Sequence, residues 1–187
     1  MRVIAGSARR LPLKTVPGQT TRPTTDRIKE TLFNIIQDEV PSCRFLDLFA
    51  GSGGIGIEAL SRGAKEAVFV EKEPRALSCI KENLAFTRLG DRGRVMGFDV
   101  MRALTVLSQE GQPFDIIFMD PPYHELLEKE VLTFLAASPL MGEDTLVIVE
   151  AALDTDFSYL ESIPLEVRRR KEYKTNVHMF IGGTKGE

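Results

Sequence analysis

The chain has 187 residues, 43% hydrophobic and 27% charged, enough for one ordinary domain with a buried core. No apolar run approaches the roughly 20 residues that span a bilayer, and Met1-Arg2-Val3-Ile4-Ala5-Gly6 lacks a signal-peptide core, so a cytoplasmic protein with no membrane partner is expected. The net charge of −3 hides an acidic body with basic ends, seven Lys/Arg against two acids over residues 1–30 and six against three over 165–187. Such ends suit a polyanionic partner, or are solvated tails.

Arg2 to Ala5 alternates as a short strand, Gly6-Ser7-Ala8-Arg9-Arg10 turns with two cations at its tip, and Leu11 to Val16 returns. Pro12 confines the return to an edge. This reads as a basic β-hairpin, followed by a loop at Pro17-Gly18-Gln19-Thr20-Thr21. Arg22-Pro23-Thr24-Thr25-Asp26 opens a helix, with Thr25 as N-cap and Asp26 at the positive end of the dipole. Ile28, Leu32, Ile35 and Ile36 share one face, and the helix is expected to stop near Val40-Pro41. Glu30 and Asn34, one turn apart, either point at a site or are ordinary helix polars.

From Arg44 the pattern alternates between strand and helix. Strands are expected at Phe45 to Phe49, Glu66 to Val70, Arg94 to Gly97, Phe114 to Met119 and Thr145 to Val149. Helices are expected at Ile55 to Arg62, Pro74 to Leu89, Val100 to Glu110 and Leu126 to Ala137. Helical crossovers of ten or more residues mean a doubly wound, mostly parallel sheet. Leu165 to Tyr173 and Val177 to Ile181, joined by Lys174-Thr175-Asn176, add an antiparallel hairpin at its end. Cys43 and Cys79 lie far apart, and with only His124 and His178 beside them they form no metal motif; the histidines read as surface or satisfied residues.

In such a sheet, ligands bind beyond the carboxyl ends of the strands. Asp47 to Gly53, Glu71, Asp99 and Asp120-Pro121-Pro122-Tyr123 all fall there. Gly51-x-Gly53-x-x-Gly56 lets backbone approach a ligand in front of a helix N-terminus, although a tight strand-helix turn explains it too. Glu71 follows Gly51 by 20 residues, the spacing at which a carboxylate takes ribose hydroxyls. The nucleoside cofactor is NAD(H) or S-adenosylmethionine. Asp47, placed for an amino-acid ammonium, and Asp99, placed for an adenine amine, favour the latter. So does Asp-Pro-Pro-Tyr, whose two prolines cannot continue a central strand. It holds a carboxylate and a carbonyl ready to accept from an exocyclic amine, and a ring to stack on the base.

Asp47-Leu48-Phe49-Ala50-Gly51-Ser52-Gly53, Glu71, Asp99 and Asp120-Pro121-Pro122-Tyr123 together resemble the class I, S-adenosylmethionine-dependent methyltransferases of base amines. The block from Arg22-Pro23-Thr24-Thr25-Asp26-Arg27 to Glu30-Thr31-Leu32-Phe33-Asn34, behind a basic hairpin, narrows this. The chain resembles the RsmD family, bacterial guanine-N2 methyltransferases of 16S ribosomal RNA, from Arg2 to about Phe180. The resemblance implies a Rossmann-like α/β fold with seven strands. Residues 1–21 would be a hairpin and loop, and 22–187 the methyltransferase domain, within a single globular unit.

It further implies cofactor contacts at Asp47, Phe49, Ala50, Gly51, Gly53, Glu71, Lys72, Asp99, Val100 and Asp120. Catalysis falls to Asp120, Pro121 and Tyr123, and RNA contacts to Arg9, Arg10, Arg22 and Tyr123, with Arg168, Arg169 and Arg170 as weaker candidates. The implied partner is 16S RNA or a partly assembled small ribosomal subunit, met by a monomer, with S-adenosylhomocysteine as the second product. Asp-Pro-Pro-Tyr is shared with adenine-N6 enzymes and does not fix the base. A non-catalytic nucleic-acid binder and a nicotinamide dehydrogenase are the rival readings.

Overall fold

A computed structural model describes residues 1–16 and 25–184. Helix α1 (Asp26–Ile35) starts where Thr25 Oγ1 accepts the N–H of Ile28. Then follow β1 (Arg44–Leu48), α2 (Gly54–Ser61), β2 (Glu66–Val70), α3 (Pro74–Thr87), β3 (Gly93–Met96), α4 (Val100–Glu110), β4 (Phe114–Met119), α5 (Leu127–Ala136) and β5 (Met141–Ala152). The antiparallel pair β6 (Leu165–Glu172) and β7 (Asn176–Gly183) closes the sheet.

The seven strands run in the order β3-β2-β1-β4-β5-β7-β6. The five from β1 to β5 are parallel, and β7 lies antiparallel between β5 and β6. This is the doubly wound sheet with a C-terminal hairpin that the sequence predicts. Leu46, Leu48, Val68, Ile117 and Val147 meet α4 and α5 on one face through Leu104, Leu107, Val131 and Leu135. Phe45, Phe69, Ile116, Phe118 and Ile148 meet α1, α2 and α3 on the other, through Phe33, Ile57 and Ile80. Near-continuous apolar strands are what burial on both faces requires.

The N-terminal segment departs from a regular hairpin. It makes one bridge, Arg2 to Pro12, with Val3 N–H donating to Leu11 and Arg10 N–H to Val3. The reason is competition for its amides. Ile4 and Ala5 donate to the two carboxylate oxygens of Glu58 at 2.8 and 3.0 Å, and Ala8 donates to Ser61 Oγ at 2.9 Å. Val3, Ala8 and Leu13 are buried with α1 and α2, so the segment packs into the core. Asn176, expected in a turn, is the buried first residue of β7. His124 is exposed, and His178 is fully buried and hydrogen-bonded.

Candidate active site

The loop after β1 turns back on itself through three left-handed residues: Phe49 (φ 61°), Gly51 (φ 56°) and Gly53 (φ 82°). For Phe49 that conformation costs about 1–2 kcal/mol, and a strained bulky residue at a strand end marks a place worth reading for function. A Cβ at Gly51 would meet nothing within 4 Å, so its backbone is open to an incoming group. Gly56 serves packing instead, since a Cβ there would lie 2.3 Å from the Phe69 ring.

Glu71, just past β2, fixes this loop. Its Oε2 accepts the Gly51 N–H at 2.9 Å, and its Oε1 accepts the N–H groups of Lys72 and Glu73 at 2.8 and 2.9 Å. A carboxylate offers about four acceptor positions, which leaves capacity for a sugar hydroxyl. From behind, Asn83 Nδ2 donates to Ser52 O at 2.9 Å and to Lys14 O at 3.0 Å. Asn83 thereby joins α3, the glycine loop and the N-terminal segment.

Asp47 is 1% exposed, and its Oδ2 accepts the Gly56 N–H at 2.9 Å. Burial pushes its carboxyl up to about 7, against the pull of that hydrogen bond, with Glu71 adding to the rise. Asp120 follows β4 and is raised well above the usual carboxylate range, first by burial, then by Glu150 and Asp47. Pro121 is buried, Pro122 exposed, and Tyr123 is 40% exposed, set edge-on to His124. His124 and Leu126 both take positive φ in the turn that follows Tyr123.

Asp47, the loop after β1, Glu71 and Asp120 converge on a cleft of about 410 Å³, which Pro122 also lines, whereas Pro121 and Tyr123, expected in catalysis, lie outside its lining. Of the residues expected at the cofactor, Asp47, Phe49, Ala50, Gly51, Glu71, Lys72 and Asp120 line it. Gly53, Asp99 and Val100 lie outside the lining. Gly53 is the left-handed N-cap of α2, and Val100 packs in the core. Asp99 is exposed and caps α4, its Oδ1 accepting the Arg102 N–H at 3.1 Å. Met1, Thr15, Val16, Lys29 and Phe118 also line the cleft and were not expected.

Lys29 has a signal in the sequence, because it stands at i−3 and i−4 from Leu32 and Phe33. The buried stripe of α1 is Lys29, Leu32, Phe33, with Ile36 at its end, while Ile28 and Ile35 are only half-buried. The Lys29 ammonium donates to Arg2 O at 2.6 Å and lies 3.5 Å from Glu58.

The donor set fits S-adenosylmethionine: a buried carboxylate at Asp47, an open glycine backbone, and a fixed carboxylate at Glu71. Arg9 and Arg10 line a second groove of about 500 Å³ together with Arg2, Arg27, Asp26 and Glu30. Arg22 falls outside the described residues. Arg168, Arg169 and Arg170 are on the edge strand β6, away from both clefts.

A seven-stranded sheet in this order, with a glycine loop, a strand-end carboxylate and Asp-Pro-Pro-Tyr along its carboxyl edge, defines a class I methyltransferase. Residues 1–181 match the family described as Conserved hypothetical protein 95. The chain is 41% identical over 172 residues to YlbH of Bacillus subtilis (strain 168), covering 92% of each chain. It is 36% identical over 156 residues to Ribosomal RNA small subunit methyltransferase D of Escherichia coli (strain K12), covering 82% of this chain and 76% of that one. The solved structure of yhhF from Escherichia coli superposes with a TM-score of 0.82 at 32% identity, over 98% and 97% of the two chains. The chain belongs to this family, the RsmD family.

Proposed function

We propose that this protein moves a methyl group from S-adenosylmethionine to the exocyclic N2 amine of a guanine in 16S ribosomal RNA. The observation that carries the reading is the convergence of Asp120 with Asp47 and Glu71 on one cleft, with Tyr123 three residues on from Asp120 and 40% exposed. The name of the Escherichia coli relative, a ribosomal RNA small subunit methyltransferase, supports RNA as substrate. The substrate is naked 16S RNA or a partly assembled small subunit, and the enzyme works as a cytoplasmic monomer.

The cofactor supplies an electrophilic methyl on a sulfonium. Glu71 takes the ribose hydroxyls, Asp47 the amino-acid ammonium, and Gly51 gives the backbone room to approach. The guanine N2 lone pair is delocalised into its ring and is a weak nucleophile. Hydrogen bonds from the two N2 hydrogens to the Asp120 carboxylate and the Pro121 carbonyl localise it towards the methyl. Alignment of this kind is worth up to about 7–11 kcal/mol of barrier. Stacking on Tyr123 holds the unpaired base, at roughly 1–3 kcal/mol. A base within a helix must first be exposed. Arg9, Arg10 and Arg22 hold the RNA backbone, which makes binding salt-dependent.

The test is transfer of labelled methyl to naked 16S RNA, to small subunits lacking the modification, and to DNA. Label in N2-methylguanosine from RNA or subunits is expected. Label in DNA or as methyladenine would overturn the guanine assignment.

A further inference from the structure

Across four neighbouring strands, one face carries an apolar core residue and, two positions nearer the carboxyl edge of the parallel strands, a polar one. The pairs are Phe45 and Asp47 on β1, Phe118 and Asp120 at the end of β4, Ile148 and Glu150 on β5, and Phe180 and His178 on β7. Register aligns three of the four polar members: Met119 pairs with Val149, so that Asp120 and Glu150 come next in line, and Glu150 pairs with His178, while Asp47 pairs with Phe118 and stands two positions back from that line. Backbones of neighbouring strands run about 4.8 Å apart. The proposed amine acceptor therefore sits in a row of ionisable groups that extends past the cleft.

Glu150 is 5% exposed and His178 fully buried. Glu150 Oε1 accepts from Asn176 Nδ2 at 2.7 Å, and Oε2 accepts from His178 Nε2 at 3.1 Å. The imidazole is fixed on its other sides by Tyr173, whose hydroxyl lies 3.3 Å from Nδ1, and by Phe118, edge-on at 6.2 Å between centroids. A buried carboxylate clamped by two donors cannot swing away, so it presents a constant neighbour to Asp120.

We propose that Glu150, held by His178 and Asn176, is a positioning residue that makes Asp120 the proton acceptor of the reaction. This rests on the methyl-transfer reading above. As the N2 lone pair forms the N–CH3 bond, the S–CH3 bond breaks with its electrons to sulfur, leaving N2 cationic. The N–H electrons then return to N2 and the proton passes to an Asp120 oxygen. A carboxylate with greater proton affinity does this better. Asp120 is faced by Asp47 from β1 and Glu150 from β5, and the cleft walls add Lys29 from α1 and Glu71, Lys72 and Glu73 beyond β2. Glu150 is faced by His178 from β7 and, through it, Tyr173; Lys171 pairs with His178 from β6, its ammonium 5.8 Å from the Tyr173 ring.

The experiment is a carbon-13 NMR titration of the Asp120 carboxyl in the full chain, assigned with Asp120→Asn, beside the pH profile of kcat on small subunits. Glu150→Gln lowers the Asp120 midpoint by about one pH unit or more and moves the acid limb of kcat the same way, with affinity for S-adenosylhomocysteine unchanged. Glu150→Met, neutral and similar in length, reads the same shift where Gln fails to fold. His178→Gln, which keeps a donor and the Glu150 charge, leaves the midpoint in place. An unmoved midpoint in both neutral variants overturns the proposal, as does a moved midpoint with an unmoved acid limb. A wild-type protein that methylates no RNA overturns the methyl-transfer reading and this inference with it, whereas an active wild type with unmoved values overturns the inference alone.

Discussion

Glu71 Oε2 and the backbone N–H of Gly51 are joined at 2.9 Å, which ties the loop after β1 to the end of β2. The same carboxylate holds Lys72 and Glu73 by their amides, so one side chain sets two walls of the cleft. Hydrogen bonds to a charged group contribute about 1.5–3 kcal/mol each. Glu71→Ala removes these and the proposed ribose acceptor together. Affinity for S-adenosylmethionine is expected to fall roughly 100-fold, the equivalent of about 2.7 kcal/mol, beside a drop in melting temperature of about 2–4 °C for each kcal/mol of stability lost with those bonds. Isothermal titration calorimetry beside a thermal melt checks it, and unchanged affinity would remove Glu71 from the cofactor site.

Asp47 makes stability depend on pH. Its folded carboxyl titrates at about 7, against about 3.9 in an unfolded chain. The folded state therefore binds the extra proton between those values, and stability falls as pH rises through the window. Three units correspond to about 4 kcal/mol at most. Asp47→Asn keeps an acceptor for Gly56 N–H and loses the titration. Urea unfolding at pH 4.5 and 8 without cofactor should show Asp47→Asn gaining on the wild type at the higher pH. The same variant should bind S-adenosylmethionine more weakly, because the ammonium loses its counter-charge.

Glu58 takes both N-terminal amides, the Arg62 guanidinium at 2.8 Å and the Lys29 ammonium at 3.5 Å, with no exposure of its own. Burial already lowers the proton affinity of Lys29, and Glu58 opposes that. Neutralising Glu58 leaves a buried lysine without its counter-charge, a change that costs about 3–5 kcal/mol. Glu58→Gln should therefore lower stability by that order at pH 7. Lys29 then binds fewer protons folded than unfolded, so stability should recover as pH rises towards 10. Denaturant midpoints at pH 7 and 9.5 decide the matter, and a flat response would show Lys29 charged and otherwise satisfied.

The five parallel strands were legible because each is a short apolar run between turn signals, and burial on both sheet faces demands such runs. The carboxyl-edge rule then placed Asp47, Gly51, Glu71 and Asp120 beside one another without any distance being known. What escaped the sequence was set by contacts between distant residues. Lys29 counts in the sequence only among the basic residues near the start of the chain, and the Glu58 that it meets lies on another helix. Glu150 and His178 are 28 residues apart and pair only through the β5–β7 register. The N-terminal hairpin was over-regularised because its alternation gave no hint that Glu58 and Ser61 would take its amides. Asp99 illustrates a second limit, since an acid before a helix reads as a ligand or as a cap, and here one oxygen is a cap.

The roles proposed for Asp120 and Tyr123 separate chemistry from substrate capture. Asp120 stands in the cleft wall at the start of Asp-Pro-Pro-Tyr, and Tyr123, at its end, lies outside the cleft lining and is 40% exposed. Asp120→Ala removes the proposed acceptor of the amine. Loss of a positioned proton acceptor lowers rates by about 10²–10⁴-fold, so kcat should fall by that order while S-adenosylhomocysteine binds as before. Tyr123→Ala removes a stacking surface worth roughly 1–3 kcal/mol, and should raise KM for the RNA substrate by about 5- to 150-fold with a smaller effect on kcat. Tyr123→Phe keeps the ring and should restore most of the loss. Steady-state kinetics on small subunits distinguishes the two roles. A Phe variant as weak as Ala would mean that the hydroxyl, not the stacked face, meets the substrate.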